Sequence, residues 1–205
     1  MKSVEKSAKN VEEAVDAALF ELALTRDDVE IEVLEEGSKG IFGFGSKNAR
    51  VKVTEKDTFE SRAIHFLEKV CSYLDVTPSF HCHREDNILK IQMEGPGMGA
   101  VIGHRGETLD ALQYLTTLAA RRDGFQDEKL MLDAENYRAK REESLVKLAN
   151  KMAAKCERTG RRVALEPMNP YERRILHFAL QDHPTVTTMS EGVEPRRRVI
   201  ILPKS

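Results

Sequence analysis

No stretch of this chain is apolar for long enough to span a membrane, and the start Met1-Lys-Ser-Val-Glu-Lys-Ser7 has no apolar core of the kind that directs secretion. Membrane insertion is excluded on that pattern, and a cytoplasmic address is expected. Cysteine is scarce. Cys71, Cys82 and Cys156 are scattered, odd in number, and form neither a disulfide framework nor a metal-binding spacing. Reduced structural thiols are the expectation. Tryptophan is absent, proline is sparse, and no low-complexity segment or repeat occurs. Catalytic signatures are missing too. The glycine-rich stretch 37–47 lacks the GxxxxGK[ST] spacing and the hydroxyl of a nucleotide-hydrolysing loop. His81-Cys-His83 has no third and fourth ligand to complete a zinc site. Asp27-Asp28 and Glu35-Glu36 have no partner base, and no hydrolase or kinase pattern appears. Neither an enzyme, nor a metal, nor a cofactor is expected.

What remains is a 205-residue chain of ordinary hydrophobic content, 40%, and slightly high charge, 32%. Its net charge of −2 hides an asymmetry. Residues 1–56 hold 9 basic and 12 acidic residues, a net −3; residues 57–134 hold 8 and 13, a net −5; residues 135–205 hold 15 and 9, a net +6. The C-terminal third can present a positive footprint that the total conceals, or dock on its acidic neighbours.

Apolar periodicity divides the chain into three small α+β modules. In residues 1–56 a helical stripe, Val11, Ala14, Val15, Ala18, Leu19 and Leu22, precedes alternation at Val29, Ile31 and Val33 and again at Ala49, Val51 and Val53. This predicts an αββ-like unit with a glycine-rich connection. In residues 57–134 the order reads helix, strand, strand, short helix, helix, strand, with a turn at Asp86-Asn87 and chain release at Gly95-Pro-Gly97. A three-stranded sheet with three helices would bury every apolar stripe. In residues 135–205 a long basic amphipathic helix ends at Gly160. Asn169-Pro170 opens a second helix, and short strands lie around Val163, Val186 and residues 197–202.

The segment Gly103-His104-Arg105-Gly106 lies between two helical patterns. Glycines at such a junction let the backbone approach a ligand closely, and helix-starting amides suit a phosphate. Arg105 would contribute affinity through phosphate, His104 a hydrogen bond, and Ile102 and Leu109 groove walls or simply core. A structural helix–turn–helix is the alternative. Arg173 and His177 share a helix face at i, i+4, with Arg174 about 100° away. Guanidinium pairs with phosphate in two-pronged fashion and imidazole stacks or donates. Alternatively, Arg173 is pinned to an acidic residue and His177 is a satisfied, half-buried ring. Arg196, Arg197 and Arg198, near Arg161-Arg162, extend a positive patch, and Tyr171 can stack on a base or pack at the helix start. Lys39, Gly40, Ile41, Phe42, Gly43 and Phe44 set apolar side chains on a glycine scaffold, a protein-contact loop or a hairpin covering a small core.

On these residues, segment 57–134 resembles a KH domain of the type II-like form. Segment 136–203 resembles the single-stranded nucleic-acid-binding domain named for an arginine followed four residues later by a histidine, the Arg-x-x-x-His domain, matched by Arg173 and His177 and by the ending Ser190-Glu-Gly-Val-Glu-Pro-Arg-Arg-Arg-Val-Ile200. Segment 1–53 resembles the Jag N-terminal domain through Lys39-Gly-Ile-Phe-Gly-Phe-Gly45. In this order the three resemble the Jag, or SpoIIIJ-associated, family, with domains at 1–56, 57–134 and 135–205. The resemblance implies a bacterial cytoplasmic RNA-binding adaptor linked to cell elongation or division control. It implies single-stranded RNA, with single-stranded DNA as an alternative ligand, and a small single-KH protein as partner. Many relatives carry a long linker after the first domain; here residue 56 leads almost at once into the next helix. Homodimerisation is a further expectation, from the small size of the modules. The rival reading is a protein-interaction scaffold with a degenerate KH domain, which the acidic excess of residues 57–134 favours.

Overall fold

A computed structural model describes residues 2–38, 47–122 and 124–204. The chain divides into two compact units, residues 1–132 and 133–205. Among the described residues, three small three-stranded sheets organise the chain, each with its own helices.

The first unit opens with a strand that the apolar pattern did not flag, β1 (Ser3–Ala8). Then come α1 (Val11–Leu22), β2 (Val29–Glu35) and β3 (Ala49–Glu55). β3 is central, antiparallel to both neighbours, with Ser3 opposite Thr54 and Val29 opposite Glu55. The module is therefore βαββ. Asn10 caps α1, its side chain accepting from the Glu13 amide at 2.8 Å. Ala14, Val15 and Ala18 bury against Val51 and Val53. The expected contact loop Lys39, Gly40, Ile41, Phe42, Gly43, Phe44 lies outside the described residues.

The same unit continues through α2 (Phe59–Tyr73), β4 (Ser79–Glu85), β5 (Ile88–Glu94), α3 (Met98–Ile102), α4 (Glu107–Ala120) and β6 (Lys129–Ala134), with strand order β4-β5-β6. This is the element order the periodicity predicts. Leu89, Ile91 and Met93 alternate inward from β5, and Phe59, Leu67, Leu109 and Leu112 come from the helices. The two modules meet at Glu55. Its buried carboxylate accepts from the Lys2 amide at 2.9 Å and lies 3.3 Å from His65 Nε2 on α2. Cys71 and Cys156 are buried, and burial first, then the neighbouring Glu60, pushes the Cys82 thiol up to about 12. Such thiols are unreactive.

The second unit holds α5 (Tyr137–Thr159), β7 (Val163–Pro167), α6 (Pro170–Ala179), β8 (Val186–Glu191) and β9 (Arg198–Pro203), with strand order β7-β9-β8. Leu145, Ala149 and Ala153 of α5 and Leu176 of α6 pack with Val186, Val199 and Ile201 of the sheet. Asn169 caps α6 by accepting from the Glu172 amide at 2.8 Å, with Pro170 in the first turn. No helix among the described residues is long and apolar enough to cross a membrane.

Candidate nucleic-acid interface

The segment joining α3 to α4 turns through three residues with positive φ. Gly103 adopts φ 69°, ψ −164°, Arg105 φ 54°, and Gly106 φ 83°. The Gly103 conformation is open in practice only to glycine. A Cβ there would also collide with the Thr108 side chain, its own Cβ 2.6 Å away. Gly106 begins α4 with no side-chain cap. The amides of that first turn are thus not taken up by a capping side chain. His104 is exposed and Arg105 half-buried, while Leu109 is core rather than wall. Glu107 and Asp110 place carboxylates in the first turn of α4, so the approach to this helix end is not uniformly favourable to an anion.

On α6, Arg173 and His177 do share a face; both reach β8, and Arg173 also reaches the loop after it. Arg173 is only 8% exposed. Its Nε donates to the Met168 carbonyl at 3.3 Å, its Nη1 to Ser190 Oγ at 3.4 Å, and its Nη2 is ion-paired with Glu194. His177 sits between Thr188 Oγ1 at 2.7 Å and Ser190 Oγ at 2.8 Å. The structure therefore realises the alternative in which arginine is pinned and the ring is satisfied. His177 ties β8 to the helix, and Arg173, through Glu194, ties the segment 192–197 to it. Sequence spacing could not reveal Thr188, Ser190 and Glu194, which come from a strand and a loop far along the chain. Arg196 and Arg197 stand exposed on that loop and have no ion-pair partner among the described residues. Arg198 donates to Glu191 at 3.1 Å, and Arg162 lies 3.8 Å from the same carboxylate. Arg174, on another face of α6, is exposed. Beneath the helix Glu172, 3% exposed, accepts from Arg141 Nε at 2.7 Å and ties α6 to α5.

Burial, and then the Arg173 charge, hold the His177 pKa below the usual histidine value. Below about pH 6.5 the unfolded chain binds the extra proton more readily than the native one. The contribution of His177 is thus fully present above that pH and is lost as pH falls through the depressed native value. Urea midpoints of the second unit are expected to drop from about pH 7.5 to about pH 5. His177→Gln should flatten that decline; an unchanged profile would contradict the assignment.

No group of three or more His, Cys, Asp or Glu is placed to hold a metal ion among the described residues. The first unit offers glycine-hinged backbone, and the second offers arginines and hydroxyls, groups that can bind an anion.

Three family models match the chain in succession: Jag N-terminus over residues 6–55, the KhpA/KhpB KH domain over 60–131 and the Arg-x-x-x-His domain over 143–203. The chain is 45% identical to the RNA-binding protein KhpB of Clostridium symbiosum over 203 residues, covering 98% of this chain and 91% of that one. It is 38% identical to the RNA-binding protein KhpB of Bacillus subtilis (strain 168) over 204 residues, 98% of each. Identity at this level across essentially whole chains, with all three modules matched, means that the chain belongs to the KhpB family.

Proposed function

We infer that this protein is a regulatory adaptor that binds single-stranded RNA. The residues 103–106 loop takes the phosphate backbone. The loop carrying Arg196 and Arg197, with Arg198 at the strand start, supplies electrostatic attraction. Arg173 acts chiefly by holding that loop through Glu194, His177 by fixing the adjoining strand β8, and Arg174 offers a further cation. The observation that carries the reading is the left-handed turn through Gly103, Arg105 and Gly106, which sets exposed His104 beside the uncapped start of α4. The relatives are RNA-binding proteins by name, which supports the RNA part of the reading. The net +6 of residues 135–205 offsets the acidic excess of residues 57–134. The wider role we assign is in elongation or division control, in the cytoplasm. Crosslinking in cells followed by sequencing of bound RNA tests this reading. Recovery of unpaired RNA segments, reduced by Gly106→Asp, supports it; no RNA above background overturns it.

A second reading has one observation in its favour. Tyr114, Leu115 and Leu118 are exposed together on α4, an apolar stripe suited to protein contact. A small single-KH protein or a second copy of the chain would fit there. This contact is compatible with RNA binding, and the scaffold reading alone would leave the RNA crosslinks empty.

A further inference from the structure

The α6 face turned away from Arg173 and His177 borders a groove of about 530 Å³ against α5. That size falls within the ~300–1,000 Å³ usual for small-ligand sites. Val146, Ile175 and Ala179 make an apolar floor. Tyr171 and Phe178 line it and are 64% and 78% exposed, although both are large aromatic groups. Arg174 lies between them in sequence, lines the same groove, and has no ion-pair partner among the described residues. Four other arginines of this unit, Arg141, Arg162, Arg173 and Arg198, each face a glutamate. We propose that this groove is a base-stacking subsite for single-stranded RNA, in which Tyr171 and Phe178 stack on bases and Arg174 takes the phosphate between them.

The proposal rests on the RNA-binding reading above and adds a second binding face to it. Tyr171 and Phe178 are seven residues apart, about 10 Å along the helix axis. That exceeds the ~4.5–7 Å at which two rings pair with each other, so each offers its own face to a separate base. Exposed aromatics interleaved with a cation are what single strands use, because every base has a π-face and every linkage a charge. Glu142 at the same groove presents an acceptor for base amino groups. A phosphate supplies the counter-charge that an apolar protein surface would deny Arg174.

Binding of a short oligoadenylate carrying 2-aminopurine to the full chain, titrated across salt, tests the proposal. Phe178→Ala and Tyr171→Ala are each expected to weaken binding about 5- to 100-fold. The slope of log affinity against log salt should stay unchanged. Arg174→Gln should lower that slope by about one contact. Phe178→Trp should restore affinity, and 2-aminopurine emission should be quenched only where the ring is present. All these positions are exposed, and a melting curve verifies the fold of each variant. If Phe178→Ala and Tyr171→Ala bind like the wild type while Gly106→Asp does not, the subsite is wrong and the RNA reading stands. If Phe178→Ala changes the sedimentation coefficient with affinity intact, the groove is a protein contact and the proposal falls. If the wild type binds no RNA, both readings fall together.

Discussion

Replacing Gly103 by alanine is expected to destabilise the first unit by about 2–5 kcal/mol, whereas replacing Gly99, four residues earlier, should stabilise it by up to about 1 kcal/mol. The two glycines differ in what surrounds them. Gly103 has φ 69° and ψ −164°, and an added Cβ would press on Thr108. Dihedral strain alone costs about 1–3 kcal/mol, and overpacking about as much again. Gly99 lies inside α3 with nothing within 4 Å of an added Cβ. Alanine there only removes conformational freedom from the unfolded chain. Urea midpoints of both variants check the contrast. Equal effects would mean that the loop does not hold the conformation described.

Arg173→Ala is expected to cost the second unit about 2–4 kcal/mol and to weaken RNA binding at the same time. Three partners are lost together: the Met168 carbonyl, Ser190 and Glu194. Glu194 is half exposed and rehydrates, and Ser190 keeps its bond to His177, so the larger part of the cost is the buried Met168 carbonyl left without its donor and the packing lost with the side chain. The segment 192–197, which carries Arg196 and Arg197, is then no longer held to α6. Arg173→Lys keeps the charge without the planar fork and should recover less than half of the lost stability. Paired urea and RNA titrations decide what Arg173 does. Weaker RNA binding with an unchanged midpoint would make it a ligand contact instead of a clasp.

Much of this architecture was legible in the chain because its signals are local. The i, i+4 spacing of Arg173 and His177, the Asn169-Pro170 helix start and the alternation through Ile88–Met93 each need only a few neighbouring residues. β1 was not legible. Ser3–Ala8 is mostly polar, and it is a strand because β3 offers it a full antiparallel register. The state of Arg173 was not legible either, since its partners are fixed only once α6, β8 and the following loop come together. Tyr171 could be noticed at an exposed helix start. Phe178 could not, because an aromatic residue in a short amphipathic helix reads as core until its exposure is known.

The central claim is that the intact chain binds single-stranded RNA largely through phosphate. Its most direct test is a filter-binding titration of the full chain with single-stranded RNA pools across salt. Three or four phosphate contacts, from Arg174, Arg196, Arg197 and the glycine-bounded loop, predict a slope of log affinity against log salt of about −2 to −3. Arg196→Gln with Arg197→Gln should bring that slope to about −1, with folding unchanged. Binding that is absent, indifferent to salt, or stronger for duplex than for single strands would contradict the account.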